Sequence, residues 1–251
     1  MPIRNGARFL PQALNSLSQQ TLDDWELVVI LDASTDESEE ILAGWGDRRL
    51  RVLKLSEPNG ISNALNRGIQ VADGEIVARL DSDDECYPAR LITQAREMER
   101  RPNLGLLGSY ATIINEHGLA LGLRRVAHGP RLKHWLVMRN QFIHPSVMVR
   151  RSILEKLGGY RAGLRTHEDY ELWLRLSRIA DVDNITQPLV RYRIHGAQTV
   201  RHSDDMALAR PLIRRGRAEL CTTLGIPQSF SAGYGLIWDF WQRRHVNPKR
   251  T

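Results

Sequence analysis

The sequence of 251 residues is poor in cysteine and has no long hydrophobic run. Its two cysteines, Cys86 and Cys221, are far apart and form no Cys-x-x-Cys pair, so we expect two free thiols rather than a zinc site or a disulfide framework. No run of roughly eighteen apolar residues is present, and the N-terminus lacks the basic and apolar regions of a signal peptide. The sequence therefore predicts a globular protein of the cytoplasm.

Nucleic-acid-binding motifs are also lacking. The formal net charge is +6 and the pI is about 9.7, a balance that suits nucleic acid, an anionic membrane face or a phosphorylated substrate. The basic residues are spread along the chain, however, and no aromatic-rich RNA-binding motif or zinc finger accompanies them. Nucleic acid is therefore not expected as a partner.

Apolar runs alternate with amphipathic stretches in the first half of the chain, which is the pattern of βαβ units. The spacing predicts strands at residues 26–31, 51–55 and 75–80, and helices at residues 9–17, 36–45, 61–69 and 89–100. Short β segments follow at 104–125, and residues from about 203 onward predict a basic, peripheral helix. The fold class is therefore predicted as α/β, a single domain with a mainly parallel central sheet and a helical C-terminal extension.

The N-terminus departs from this alternation. The chain enters a predicted helix directly after residues 1–6, which leaves no room for a first strand. A parallel sheet normally buries its early strands, and the absence of one would expose apolar neighbours and unpaired backbone groups. The sequence therefore predicts a fold that is short by about one strand, through a misassigned start or a truncation.

Three carboxylates, Asp81, Asp83 and Asp84, stand within four residues directly after the predicted strand at 75–80. Like charges this close repel, and a bound cation offsets that cost; oxygen ligands favour Mg²⁺ or Mn²⁺. A solvated acidic turn is the alternative, but ligands gather at the carboxyl ends of strands in α/β sheets. An EF-hand is excluded because Cys86 stands where that loop needs glycine.

A later predicted helix carries an acidic pair, Glu168 and Asp169, in its first turn. Thr166 is a candidate N-cap, with Asp169 three residues on as in a capping box, and Trp173 lies on the apolar stripe as a core residue. Taken by themselves, the two acids are best explained as groups that complement the helix dipole.

Six segments, taken in order, resemble the family 2 inverting glycosyltransferases. They are residues 1–6, 25–36, 59–68, 78–84, 144–150 and 167–173, and the resemblance covers about residues 1–200. It implies a single Rossmann-like domain of the nucleotide-diphospho-sugar transferase fold. Residues 1–110 are then the half that binds the donor nucleotide, residues 111–200 are the acceptor half, and residues 201–251 form a helical basic tail.

The resemblance implies donor-binding roles in the first half. Asp32 matches an acid that hydrogen-bonds the donor base, although Leu31 replaces a second acid often found beside it; a cap or turn role is the alternative. Asp81 matches the first acid of the family's Asp-x-Asp motif, near the ribose or the metal, and Asp83 matches the metal ligand. Two further donor-binding candidates, for which purely structural roles are equally open, are Asn63 and Arg79. For Asp84, the third acid, an assisting role at the metal and a cap of the next segment are both open, and the cap is slightly favoured.

For the acceptor side, the resemblance implies that Asp169 is the general base. A free alcohol is a poor nucleophile, and a carboxylate within hydrogen-bond reach can take its proton in a one-step displacement with inversion. Glu168 and His144 are then acceptor-side residues. His195 matches a segment that reaches the diphosphate or the metal, and a structural histidine is equally open there.

The function predicted in this way is a metal-dependent inverting glycosyltransferase that uses Mn²⁺ or Mg²⁺. It would move a sugar from a nucleotide-diphospho-sugar donor to a saccharide or lipid-linked saccharide acceptor, in polysaccharide or glycoconjugate synthesis. Leu31 and the short N-terminus leave open a non-catalytic or truncated relative that only binds the donor. A nucleotidyltransferase is less favoured, because Asn5-Gly6 supplies little of a glycine-rich phosphate loop.

The C-terminal tail carries aromatic and basic residues that suit contact with an anionic leaflet: Trp238, Phe240, Trp241, Arg243, Arg244, Lys249 and Arg250. An ordinary docked helix with a basic end is the favoured alternative. Peripheral contact at the inner face of the membrane is thus a further hypothesis for this cytoplasmic protein.

Overall fold

The computed structural model of the chain describes residues 1–196 and 205–230. Its strands are β1 Pro2–Ile3, β2 Leu27–Asp32, β3 Leu50–Leu55, β4 Ile76–Ala78, β5 Glu85–Cys86, β6 Leu104–Ile114, β7 Ala120–Arg124, β8 Met148–Arg150 and β9 Asp181–Arg193. Its helices are α1 Leu10–Ser18, α2 Ser38–Trp45, α3 Ile61–Val71, α4 Arg90–Arg100, α5 Leu132–Met138, α6 Arg151–Lys156, α7 Glu168–Leu176 and α8 Asp205–Leu224, and His144–Ser146 form a 3-10 turn.

The predicted alternation of strands and helices in the first half is confirmed. In α1, for example, Leu10, Ala13, Leu14 and Leu17 recur at helical spacing and are all buried, so one apolar face packs on the sheet. Helix α2 ends at Gly46, whose φ of +68° is the left-handed conformation that terminates a helix at little cost in glycine. Cys86 and Cys221 are both buried, and neither forms a disulfide.

The strands form two sheets. In one sheet β1, β2 and β3 lie side by side and are parallel throughout. The other has the order β4-β8-β6-β9-β5, with β7 added beside β6; only β6 and β9 are parallel there, and the other pairs are antiparallel. The parallel pairing expected of the central sheet therefore does not extend through the second half, because β7 returns directly from β6 through a tight turn rather than a helical crossover.

The expectation that the N-terminus has no room for a first strand needs correction. Pro2 and Ile3 are extended and pair in parallel with Ile30 and Leu31 of β2. Ile3 is only 1% exposed, so its burial between the sheet and the neighbouring helices holds the segment in place. The first strand is present as two residues, and its pairing with β2 reaches only the second half of that strand.

Helix α8 does not lie at the periphery, as the sequence suggested. Ile213, Leu220 and Cys221 are at most 2% exposed and belong to the same apolar cluster as Trp173 of α7, whose predicted place in the core is confirmed. Arg217 donates from Nε to Tyr170 Oη at 3.0 Å and from Nη2 to the Met138 carbonyl at 3.0 Å. The helix is therefore an integral part of the second-half core.

Part of the predicted tail falls outside the described residues. The aromatic and basic residues proposed for leaflet contact, including Trp238 and Trp241, are among residues 231–251. Within the described ranges, none of the helices combines the length and the apolar character needed to cross a bilayer.

Candidate active site

The three carboxylates that follow β4 are brought together by a tight turn. The Asp84 amide donates to the Asp81 carbonyl at 3.3 Å, and one oxygen each of Asp81, Asp83 and Asp84 lies within 4.8 Å of the others. Asp84 is only 1% exposed, whereas Asp81 and Asp83 are half-buried and face the solvent. The predicted acidic cluster is therefore present at the end of the strand.

Burial and like charge act together on Asp84 in this acidic cluster. Burial raises the pKa of Asp84 well above its usual range, and the charges of Asp81 and Asp83 raise it further. Asp84 Oδ1 accepts the Arg193 amide at 2.7 Å, but Asp84 Oδ2 is buried without a hydrogen-bond partner among the described residues. The prediction that Asp84 caps the next helix is wrong, because α4 begins only at Arg90 and the Asp84 carboxylate points to β9 instead.

His195 lies beside the acidic cluster. Its Nε2 is 3.0 Å from Asp83 Oδ2, and its ring packs on Phe9 with the ring centroids 4.7 Å apart. Nδ1 of this histidine is buried and has no hydrogen-bond partner within the part of the chain that the structure describes. The residue therefore occupies a position from which it can serve the same ligand as Asp83.

Arg79 lies beneath the acidic cluster, at the end of β4. Its side chain is 7% exposed and forms an ion pair with Asp81, while its Nε is buried and has no acceptor in residues 1–196 or 205–230. Its charge also acts on His144 and Glu168, which belong to the second half of the chain. Arg79 thus lies close enough to both the acidic cluster and the acidic pair of α7 for its charge to act on each.

The acidic pair opens α7, as predicted, but without the expected capping box. The residue before the helix is His167, in the left-handed conformation with φ of 58°, and no side chain caps the helix. Thr166 Oγ1 is instead hydrogen-bonded to His167 Nδ1 at 2.9 Å. The sequence pattern failed here because the bend at His167 turns the Thr166 side chain away from the free helix amides.

Two donors hold the carboxylate of Asp169. Asn140 Nδ2 donates to Asp169 Oδ2 at 2.7 Å, and the Tyr170 amide donates to Asp169 Oδ1 at 2.6 Å. A carboxylate held through both oxygens has a fixed orientation, and an ionised carboxylate oxygen is an acceptor that can take a proton.

Glu168, the neighbour of Asp169, lies in a buried pocket. Burial and the adjacent Asp169 charge raise the pKa of Glu168 to about 7. Its Oε1 lies 3.7 Å from His144 Nδ1, and His144 Nε2 is 2.9 Å from Tyr160 Oη. Because burial and the charge of Arg79 lower the pKa of His144 well below its usual range, this histidine is neutral and does not form an ion pair with Glu168.

Asp32 and Asn63, the predicted donor-base candidates, both contact the loop that leads into α3. Asp32 is 4% exposed, and its two oxygens accept the amides of Asn59 at 2.8 Å and Gly60 at 3.1 Å. Asn63 is exposed on the first turn of α3 and donates to the Asn59 carbonyl at 2.9 Å. Asp32 therefore orders the loop that leads into α3, rather than a turn formed with its neighbours Ser34 and Thr35.

The family model described as Glycosyl transferase family 2 matches residues 1–158. The chain belongs to glycosyltransferase family 2. This glycosyltransferase is 34% identical over 187 residues to the amylovoran biosynthesis glycosyltransferase AmsE of Erwinia amylovora, a match that covers 73% of this chain and 70% of that protein. The resemblance stated from the sequence is therefore confirmed, and so is the prediction that the protein is an enzyme.

Two solved structures share the fold of the family 2 glycosyltransferase. S. aureus TarS in complex with UDP-GlcNAc has a TM-score of 0.71 at 18% identity, covering 88% of this chain and 70% of that one. The mannosyltransferase PcManGT from Pyrobaculum calidifontis, in complex with GDP-Man and Mn²⁺, has a TM-score of 0.60 at 19% identity. The match covers 97% of this chain and 74% of that one. At these identities the likeness concerns the fold alone, and the predicted fold class is confirmed.

Sequence reasoning missed two residues of this glycosyltransferase's candidate site. Asn140 holds Asp169, and Tyr160 holds His144. Asn140 lies four residues before the segment 144–150 that resembles the family, and this proximity is a usable signal. Tyr160 follows two glycines and had none, because only the fold brings it to His144 and Asn66, which accepts the Tyr160 amide at 2.8 Å.

Proposed function

We propose that this family 2 glycosyltransferase moves a sugar from a nucleotide-diphospho-sugar to an acceptor hydroxyl, with inversion at the anomeric carbon and with Mg²⁺ or Mn²⁺ as cofactor. The observation that carries the proposal is the pairing of two acidic groups around Arg79: a cluster with a buried, unpartnered oxygen, and a separate carboxylate fixed by Asn140. The named ligands of the two solved structures, UDP-GlcNAc and GDP-Man with Mn²⁺, support the choice of donor and cofactor.

On the donor side, residues 1–110 form the nucleotide-binding half. Asp81, Asp83 and Asp84 are suited to hold the divalent ion, with His195 beside them, because their carboxylates converge and Asp84 Oδ2 is buried without a partner. When bound, such an ion stabilises the negative charge that grows on the departing diphosphate. Arg79, with Nε turned inward, adds a fixed positive charge to the same region.

Asp32 and Asn63 keep in this proposal the donor-binding roles that the resemblance implied. Asp32, Asn63 and the Asn59–Gly60 loop between them bind the donor base, Asp32 by ordering that loop. The acceptor, a saccharide or a lipid-linked saccharide, binds in the half formed by residues 111–200. His144 and Glu168 line its site.

The chemical step assigned to Asp169 is removal of the acceptor proton. As the acceptor oxygen forms its bond to the anomeric carbon, the bond from that carbon to the diphosphate oxygen breaks, and the proton passes from the hydroxyl to Asp169. The nucleoside diphosphate leaves with the bonding electrons. Asn140 and the Tyr170 amide hold the carboxylate in one orientation, which is what an in-line displacement demands of its base.

The test is a transfer assay on a panel of UDP- and GDP-sugars, with Mn²⁺, with Mg²⁺ and with EDTA. We expect turnover only with a divalent ion, product of inverted anomeric configuration by NMR, and a loss of kcat by about 10²- to 10⁴-fold in Asp169→Asn. Asp47→Asn is the matched control, since Asp47 pairs with Arg49 outside the site. Retained configuration, or wild-type turnover in Asp169→Asn, would contradict the mechanism.

A donor-binding relative without transfer activity is the second candidate. It is favoured by Leu31, which stands where the family often has an acid, and by the engagement of both Asp32 oxygens within the protein. Nucleotide binding by thermal shift, with no turnover for any donor or ion, would establish this candidate instead. The relative AmsE, named for amylovoran biosynthesis, supports a role in polysaccharide or glycoconjugate synthesis.

A further inference from the structure

The chain carries no acidic residue between Glu116 and Glu155. Within residues 117–139 of that stretch, which include β7 and α5, every lysine and arginine is therefore without an acidic neighbour in sequence: Arg124, Arg125, Arg131, Lys133 and Arg139. The four arginines are exposed. With five cations and no acid, these residues account for most of the net charge of +6.

Large apolar side chains are exposed in the same segment. The exposed fractions are 66% for Leu119, 54% for Leu121, 43% for Leu123 and 48% for Trp135. These four are half of the eight large apolar side chains exposed among residues 1–196 and 205–230. All five residues of β7 are exposed, so neither face of this strand packs on the core. Such a concentration of exposed apolar groups is typical of a binding surface.

Hydrogen bonds hold β7 and α5 near each other. The Gln141 side chain accepts the Ala127 amide at 3.1 Å and donates to the Trp135 carbonyl at 3.3 Å. Arg124, the last residue of β7, stands three residues before Ala127, a reach of at most about 10 Å. The basic end of β7 and the exposed tryptophan of α5 therefore lie close together, and we call residues 119–139 the 119–139 surface.

Acids of neighbouring segments are already paired with cations. Lys133 pairs with Asp181 at 3.7 Å, while Asp183 pairs with Arg101 and Glu116 pairs with Arg8. A second copy of the chain docked through β7 would bring the same arginines and no carboxylate from residues 117–154. The charge of the 119–139 surface therefore favours an anionic partner over a second copy.

We propose that the 119–139 surface binds an anionic lipid leaflet, with the leucines and Trp135 at headgroup depth and the arginines on lipid phosphates. A bilayer matches both properties, because it is anionic at its surface and apolar beneath, whereas a soluble anion has no use for the exposed apolar groups. The contact is separate from residues 231–251, for which the sequence suggested leaflet contact. Asn140, which holds Asp169, follows this surface directly, so a lipid-linked acceptor would bind close to the leaflet; this consequence alone rests on the proposed function.

Sedimentation of the full chain with vesicles tests the leaflet contact without donor, acceptor or metal. We expect binding to vesicles of about 70% phosphatidylcholine and 30% phosphatidylglycerol, at least about 10-fold weaker binding to phosphatidylcholine alone, and a decline with added NaCl. Arg124→Gln/Arg125→Gln should weaken binding about 20-fold, because both cations would leave the leaflet. The matched control, Arg48→Gln/Arg67→Gln, removes two exposed arginines elsewhere and should change binding by less than about 3-fold.

The apolar part of the contact has its own variant. Leu121→Ser/Leu123→Ser should weaken binding to the anionic vesicles by at least about 10-fold. Ile179→Ser/Leu208→Ser is the control, since these side chains are 48% and 53% exposed on other parts of the molecule. All four positions are exposed, so Tm should stay within about 3 °C of wild type in both variants.

Weaker binding in both variants of the 119–139 surface, with both controls close to wild type, supports the leaflet contact. Wild type that does not bind the anionic vesicles, equal binding to both kinds of vesicle, or losses no larger than in the controls would overturn it. A loss confined to Trp238→Ser/Trp241→Ser would also overturn it and assign the contact to the tail. A wild-type dimer by light scattering that binds no vesicles and becomes monomeric in Leu121→Ser/Leu123→Ser would show a second copy instead. Since turnover is not measured, these results are independent of the proposed glycosyl transfer.

Discussion

At the scale of single residues, the candidate site depends on long-range contacts between polar side chains. Asn140 lies 29 positions before Asp169 in the chain, and Asp83 lies 112 positions before His195, yet both pairs are in hydrogen-bond contact. The acids themselves are visible in the sequence as clusters. Which residue each acid pairs with is not visible, because a hydrogen bond between distant positions leaves no local pattern.

Asn140 is a positioning residue for the proposed base. In Asn140→Ala, Asp169 Oδ2 loses its side-chain donor, so we expect kcat to fall about 10- to 100-fold with little change in donor KM. Steady-state kinetics measure this, with Asn115→Ala as the control, since the Asn115 side chain serves only a surface turn. Equal losses in kcat and in Tm for both variants would point to a structural role instead.

Glu168 should make the stability of the protein dependent on pH. Its pKa rises from an ordinary 4.5 to about 7 in the folded state, so the folded protein binds an extra proton between these pH values. The stabilisation is complete below about pH 4.5 and is lost as the pH rises through 7, by up to about 3 kcal/mol. Glu168→Gln, which remains neutral, should therefore raise Tm at pH 8 by about 5 °C and leave Tm nearly unchanged at pH 5.

Thermal melts of wild type and Glu168→Gln at the two pH values check this. Wild type and variant share all other titratable groups, so the difference between their Tm values at each pH reports the titration of Glu168. An equal difference in Tm at both pH values would show that the Glu168 carboxyl is not held in its neutral form at low pH.

Among the elements, β6 and β9 order the second half of the chain. Gly108 of β6 lies against Asn184 of β9, whose Nδ2 donates to the carbonyls of Ala127 at 2.8 Å and Gln141 at 2.9 Å. A Cβ at Gly108 would come within 2.1 Å of Asn184 Oδ1. The glycine is therefore required by close packing, and through Asn184 it secures the segment that carries Asn140.

We expect Gly108→Ala to destabilise the fold by about 1–3 kcal/mol, because Asn184 must move and give up hydrogen bonds. Gly122→Ala in β7 is the matched control, since no atom lies within 4 Å of a Cβ at that position. Urea denaturation gives both free energies of unfolding. Similar free energies of unfolding for the two variants would show that β9 accommodates the new methyl group without loss of stability.

At the scale of the whole molecule, α8 joins the core of the second half. Ile213 is 2% exposed and lies in the cluster that contains Trp173, whereas Leu208 on the same helix is 53% exposed. Ile213→Ala should therefore lower the free energy of unfolding by about 2–4 kcal/mol, and Leu208→Ala should change it by less than about 0.5 kcal/mol. Chemical denaturation measures both free energies of unfolding. Similar losses for Ile213→Ala and Leu208→Ala would indicate a peripheral tail rather than a docked helix.

The sequence by itself determined the elements of the first half, the acidic cluster and the acidic pair of α7, because periodic burial and short motifs are local properties of the chain. It also indicated the family. The tertiary structure decided that Pro2–Ile3 pairs with β2, that Thr166 does not cap α7, that Asp84 faces β9, and that α8 packs into the core. Each of these depends on contacts between distant segments, whose free energies no local pattern encodes.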